Sequence, residues 1–196
     1  SAFFLLILGA ASIGISVYAS GYFCPKTSPE TQQNSKNKTA FYLFFYHLFL
    51  ASLSLVFLAD DAYTFLIMWE IMTFSSYFLV ASEHQKEDIR RASYLYLLIA
   101  HIGALCILIS FTLMSGGNDF SFATMRQLSQ TAALSPFAIN SAFLLALIGF
   151  GAKAGLLPLH IWLPEAHPAA PSPVSALMSG IMLKPAAYGM IRIGFD

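Results

Sequence analysis

Residues 139–162 read INSAFLLALIGFGAKAGLLPLHIW. About 20 mostly apolar residues cross a bilayer as a helix, so this stretch is long enough to do so. It carries Lys153 in its interior, ringed by Gly149, Gly151 and Gly155 and followed by Pro158 and His160. Proline lacks an amide hydrogen and clashes with the preceding turn, so the span is expected to break near Pro158. In lipid, the carbonyls freed by a break need water or polar partners. Transporters use a broken helix beside a buried charge to expose backbone to an ion path. A simple packing kink is the alternative.

The rest of the chain places this span in the same solvent. Of 196 residues, 57% are hydrophobic and only 10% charged. A soluble domain carries roughly 25% charged residues. Ten basic and ten acidic side chains are too few to cover a water-facing surface, so lipid is the expected solvent. The same numbers exclude disorder. With zero net charge there is no basic field for nucleic acid. Cys24 and Cys106 do not make a disulfide framework, and Cys106 reads as packing inside an apolar run.

Six segments are expected to span: 1–23, 39–59, 62–82, 92–114, 139–162 and 174–194. Their length favours helices over a barrel, giving an all-α polytopic transmembrane bundle in one domain. The connections are 24–38 (CPKTSPETQQNSKNK), Asp60-Asp61, 83–91 (EHQKEDIRR), 115–138 and a proline-rich turn at 163–173 (LPEAHPAAPSP). Within the fourth, Phe122, Met125 and Leu128 fit either a short interfacial helix or an amphipathic loop. The 26–38 stretch reads as solvated and mobile. The first span has no basic region before it and is too long for a signal peptide. The chain begins without Met and stops after an apolar run, so it is read as a fragment.

With alternating spans, Lys26, Lys36, Lys38, Lys86, Arg90 and Arg91 fall on one side and Arg126 and Arg192 on the other. The positive-inside rule places the first side in the cytoplasm or its equivalent.

All but four of the charged residues lie in connections or at the chain end. Arg192 ends the last span and can snorkel to water. Glu70, Lys153 and Lys184 lie inside spans, as does His101. Each is about eight to thirteen residues from a span end, or roughly 12–20 Å deep. A charge there costs roughly 2.5–3.5 kcal/mol on insertion scales. One structural ion pair, Glu70 with a lysine, is the bland explanation, but it leaves a second lysine and a histidine unexplained. The functional explanation is a proton relay in the membrane plane. Burial disfavours the charged form of a lysine, a nearby carboxylate favours it, and such groups titrate as a coupled unit. His160 follows the break and extends the path toward the cytoplasmic side.

The remaining candidates carry less. His47 reads as a satisfied core histidine, and His84 and His167 as loop residues. His167 sits where a rigid turn positions the last span. The aromatics at 41–46 read as interface or lipid-facing packing. Asp60-Asp61 marks a membrane boundary. No phosphate loop, dinucleotide fingerprint, CxxC cluster or serine triad is present. His47 and His101 could offer haem ligands, but no spacing supports it. No metal, cofactor or catalytic centre is therefore expected.

The run GFGAKAGLLPLHIWLPEAHPAAPSPVSALMSGIMLKPAAYGMIR, residues 149–192, resembles the core signature of the proton-translocating antiporter-like membrane subunits. These occur in complex I, in multisubunit cation/proton antiporters and in membrane-bound hydrogenases. LADDAYTFLIMWEIMTFSSYFLV, residues 58–80, resembles the preceding signature with its glutamate. RRASYLYLLIAHIGALCIL, residues 90–108, looks most like the hydrogenase-4 component B and formate hydrogenlyase subunit 3 branch.

The resemblance implies that Glu70 is the motif's glutamate, Lys153 the lysine of the broken helix, Lys184 that of the next helix, and His160 the histidine after the break. It implies a fold of two inverted five-helix repeats, of which this chain holds the first plus one extra helix. It also implies a non-redox subunit of an oxidoreductase complex. Its partners would be other membrane subunits and a peripheral redox arm, and its cargo protons or Na+. A cation/proton antiporter subunit and a structural membrane anchor are the competing readings.

Overall fold

The computed structural model describes residues 2–22, 32–83, 85–117, 119–131 and 134–195. Cys24, Lys26 and His84 lie outside them. The described chain is an all-α bundle with six helical segments long and apolar enough to cross a membrane. They are Ala2–Tyr22, Lys38–Leu58, Ala62–Val80, Glu87–Ser115, Pro136–Ala169 and Ser172–Gly194, the fifth of them bent.

In chain order, α1 is Ala2–Tyr22, α2 Gln32–Leu58, α3 Ala62–Val80, α4 Glu87–Ser115 and α5 Phe122–Gln130. After these come α6 Pro136–Ala154, α7 Trp162–Ala169, α8 Ser172–Leu177 and α9 Lys184–Phe195. The expected loop at 24–38 is helical from Gln32 on. A polar turn of α2 continues beyond its apolar span, because helix propagation needs no apolar residue once a turn exists.

Capping residues set the helix starts. Asp61 accepts from the Thr64 amide at 2.8 Å and starts α3. Ser121 and Ser135 do the same for α5 and α6, each at 3.2 Å. These bonds satisfy amides that the helix itself leaves unpaired. The ambiguous 121–131 stretch is thus a helix, α5, with Phe122 and Met125 buried. It is tied to the α2–α3 connection by Ala62 N–H to Phe120 O at 3.0 Å and Phe122 N–H to Asp60 O at 3.3 Å. Arg192 on α9 closes the same end, donating to Ala59 O at 3.2 Å and pairing with Asp60 at 3.4 Å. Its guanidinium also lies 4.2 Å from the Phe122 ring centroid.

The core is aromatic and glycine-tight. Phe65, Trp69, Phe111, Phe122 and Phe150 pack edge-on or stacked, with centroids 5.3–6.2 Å apart. Gly103 of α4 and Gly149 of α6 meet backbone to backbone. A Cβ on Gly149 would come within 2.6 Å of Gly103 O, and one on Gly103 within 2.9 Å of Gly149 O. Such small residues let membrane helices approach closely. Ser110 reinforces the contact by donating to Ala142 O at 2.7 Å.

The fifth span breaks earlier than the proline. α6 ends at Ala154, and Gly155 takes the left-handed conformation, with φ 76°. Glycine adopts this without a Cβ clash and so caps the helix three residues before Pro158. A second difference lies at 163–173, expected to be a turn. Residues 162–169 form α7, because Pro164 falls in the first turn, where its missing amide hydrogen costs nothing. His167, expected in a loop, lies in α7, and its Nδ1 is 2.9 Å from the Ser175 hydroxyl in α8. A third difference is a five-residue π-helical segment, Met178–Met182, between α8 and α9. π turns of this kind are rare and occur mostly within helices at functional sites.

Two tests probe this architecture. Gly149→Ala is expected to cost about 1–3 kcal/mol through overpacking against α4. Gly9→Ala, where no atom lies within 4 Å of the new Cβ, should be close to neutral. Thermal unfolding in detergent compares them, and equal effects would contradict the close approach. Asp61→Ala should cost about 1 kcal/mol as a lost cap. The Thr64 hydroxyl and then its amide hold the Asp61 carboxyl below its ordinary 3.8. The cap's contribution is therefore full above that value and is lost as pH falls through the lower folded value. The stability gap between wild type and Asp61→Ala should close on that acid side, and a gap independent of pH would refute the assignment.

Candidate functional site

Lys153 lies in the last turn of α6, where the negative end of the helix dipole favours a cation. It is 2% exposed. Its Nζ donates to the Thr73 hydroxyl on α3 at 3.0 Å and to the Tyr96 hydroxyl on α4 at 2.6 Å. It also sits 4.7 Å from the Tyr96 ring centroid. Three helices thus converge on one amine, and the groups that receive it are neutral hydroxyls.

Each hydroxyl is anchored in turn. Thr73 donates to Trp69 O at 2.9 Å, leaving its lone pairs for the lysine. The Tyr96 oxygen is 2.6 Å from Ser76 Oγ and 3.6 Å from Met182 Sδ in the π segment. The sequence reading did not single out Thr73, Ser76 or Tyr96. A signal was present for two of them: Glu70, Thr73 and Ser76 recur every three residues and so share one face of α3. Tyr96, in an apolar run of α4, offered none.

No ion pair among the described residues joins Glu70 to a lysine. Its Oε2 lies 3.5 Å from His101 Nε2, at ion-pair distance. The two side chains are partly exposed, 31% for Glu70 and 39% for His101. The His101 Nδ1 is 3.0 Å from the Leu97 carbonyl. A carbonyl can only accept, so Nδ1 carries a hydrogen. Nε2 is then the ring nitrogen that faces the Glu70 carboxylate. The bland expectation of a Glu70–lysine bridge is replaced by two separate polar groups, a carboxylate–imidazole pair and a lysine among hydroxyls.

The other candidates stand apart from both groups. His160 lies in the 3-10 turn that follows the break, half-buried, and its Nδ1 is buried without a hydrogen-bond partner among the described residues. Lys184 opens α9 immediately after the π segment and is half-buried. No hydrogen bond or ion pair among the described residues reaches it. His47 faces outward from α2 instead of into the core, with Nδ1 2.7 Å from its own helix's Leu43 carbonyl. Of the aromatics at 41–46, Phe41 and Phe44 face outward. Tyr46 is buried, 2.7 Å from the Ser16 hydroxyl. Cys106 is half-buried on α4.

The break beside Lys153 exposes the Ala152 carbonyl, which would otherwise bond within the helix. The Trp162 indole donates to it at 2.8 Å. The ring of Trp162 packs on that of Tyr96, with centroids 4.9 Å apart. The partner that lipid cannot supply is thus a side chain from beyond the break.

The described residues thus form a multi-span membrane bundle with one span broken beside a buried lysine. Residues 59–196 match the family described as NADH:quinone oxidoreductase/Mrp antiporter, TM, and the chain belongs to that family. Hydrogenase-4 component B of Escherichia coli is 42% identical over the whole chain, which spans 27% of that protein. The NAD(P)H-quinone oxidoreductase chain 4 3 of Picosynechococcus sp. is 32% identical over 84% of the chain and 30% of its own length. The chain thus spans less than a third of these curated relatives. Among solved structures, a chain of the membrane-bound sulfane sulfur reductase, an archaeal respiratory membrane complex, shares the fold with a TM-score of 0.78. It is 22% identical, over 97% of this chain and 36% of that one.

Trp162→Phe removes the donor to Ala152 O while keeping an aromatic ring. An unsatisfied buried acceptor costs about 1–3 kcal/mol, so the variant should unfold at lower temperature in detergent. Unchanged stability would show that the break does not depend on the indole.

Proposed function

We propose that this chain is part of a proton-translocating membrane subunit of a hydrogenase or NADH:quinone oxidoreductase-like complex. Glu70, His101, Lys153, Lys184 and His160 form its relay. The observation that carries this reading is Lys153, fully buried at a helix break and held by neutral hydroxyls. A lysine kept only for stability is better served by a carboxylate, which fixes its charge. Hydroxyls leave the amine free to hold or release its proton. The Glu70–His101 pair offers a second site for one proton, since either partner can carry it.

The chain contributes no redox centre in this reading. Moving one charge against 100 mV costs roughly 2.3 kcal/mol, so the driving energy comes from partner subunits, including a peripheral redox arm. The cytoplasmic side is the one bearing Lys38, Lys86, Arg90 and Arg91, in a bacterial or archaeal cell membrane. Similarity to hydrogenase-4 component B supports the hydrogenase branch. The Mrp antiporter in the family description supports a second reading, exchange of a cation such as Na+ for protons without electron transfer.

Lys153→Ala and Glu70→Gln are expected to abolish coupled proton pumping in vesicles while the assembly still inserts. Normal pumping by either variant would sink the relay. Proton movement that requires Na+ and no electron donor would favour the exchange reading instead.

A further inference from the structure

Tyr96 is the junction of the lysine site. Its oxygen meets Lys153 Nζ on α6, Ser76 Oγ on α3 and Met182 Sδ in the π segment. It is fully buried. In a lipid-solvated bundle, no water replaces a hydrogen bond that one of these groups loses.

The geometry points to Tyr96 as the positioning residue that keeps Lys153 hydrogen-bonded in both of its protonation states, by reversing the direction of one hydrogen bond. This rests on the relay reading of Lys153. A phenol is both donor and acceptor, whereas an ammonium only donates and a carboxylate only accepts. When Lys153 is an ammonium, it donates to the Tyr96 oxygen. The phenol hydrogen then points away, to Ser76 Oγ or Met182 Sδ, both within reach. When Lys153 is a neutral amine, its nitrogen has a lone pair, and the phenol hydrogen turns to it. No heavy atom moves and no buried group is orphaned in either state.

Thr73 cannot make this reversal alone. Its hydrogen is committed to Trp69 O at 2.9 Å, so it serves Lys153 as an acceptor. Ser76 has Met72 O and Thr73 O within 2.9 Å for its own hydrogen, which frees its lone pair for Tyr96. The other charged or histidine side chains on the surrounding elements are Glu70 on α3, Glu87, Asp88, Arg90, Arg91 and His101 on α4, His160 in the break, Glu165 and His167 on α7, and Lys184 and Arg192 on α9, with Glu70 and His101 paired with each other.

The test measures proton transport against pH in the intact membrane complex, normalised to assembled complex, for Tyr96→Phe, Thr73→Ser and Lys153→Ala. Tyr96→Phe keeps the ring, its packing on Trp162 and its place over the amine. It is expected to lower transport by about tenfold, the loss of one hydrogen bond to a charged group. It should also displace the pH–rate profile by about half a unit or more, because the two states of Lys153 lose different bonds. Thr73→Ser, which keeps the hydroxyl acceptor, should displace the profile less than Tyr96→Phe does. Tyr96→Phe with an unmoved profile and a normal rate per complex, or with only less assembled complex, would overturn the proposal and give Tyr96 a purely structural role. If Tyr96→Phe does not assemble, Ser76→Ala carries the same test. Combined with Met182→Leu it removes both acceptors for the phenol hydrogen, and an unmoved profile in that double variant overturns the proposal equally. Lys153→Ala separates the two levels: transport that survives it defeats the relay itself, whereas loss of transport in Lys153→Ala beside an unaltered Tyr96→Phe defeats only the role of Tyr96.

Discussion

A lysine amine inside a lipid-solvated bundle survives only if protein groups reach it from several sides, and here the reach depends on one backbone contact. Gly103 and Gly149 bring α4 and α6 so close that neither tolerates a Cβ without displacing the other. Lys153 follows Gly149 by one helical turn. The close approach holds the Tyr96 oxygen at 2.6 Å from its Nζ, while α3 supplies Thr73 from the third side. Widening the α4–α6 contact would separate the amine from its acceptors in a medium that offers no substitute.

The helix break obeys the same constraint. Ending α6 at Gly155 frees carbonyls in an apolar setting, and Trp162 answers the one at Ala152. Because Trp162 also packs on Tyr96, the residue that seals the break and the residue that holds the lysine support each other. Met182 in the π segment touches the same phenol. The irregular backbone of two spans therefore converges on a single polar cluster. Irregular backbone at membrane depth is tolerated where protein groups answer it, and this cluster supplies them. At one end of the bundle, Arg192 joins the α2–α3 connection, α5 and α9. That contact closes the lattice of helices without entering the site.

The separation of Glu70 from Lys153 has a chemical consequence. A direct ion pair would stabilise one charge state and resist change. An amine facing hydroxyls is not fixed in one charge state by its partners. Groups of that kind suit transfer better than storage, which is why the proposed relay rests on the polar partners more than on the count of buried charges.

Much of this was legible in the chain. Length and apolarity determined the six spans, because a helix must satisfy its own backbone in lipid and about 20 residues are needed to cross. The few charges inside spans marked Glu70, Lys153, Lys184 and His101, because each is costly wherever the helix rotates. Capping chemistry at Asp61, Ser121 and Ser135 is local and was there to be read. Other features were decided only by tertiary structure. Pro164 looked like a turn residue but sits in a first helical turn, and Gly155, not Pro158, ends α6. The partners of Glu70 and Lys153 depend on how three helices are rotated and how closely they cross. Side-chain periodicity along one helix does not encode that rotation. Tyr96 shows the limit most sharply: in sequence it is an aromatic in an apolar run, and only the approach of α6 and α3 turns its hydroxyl into the centre of the site.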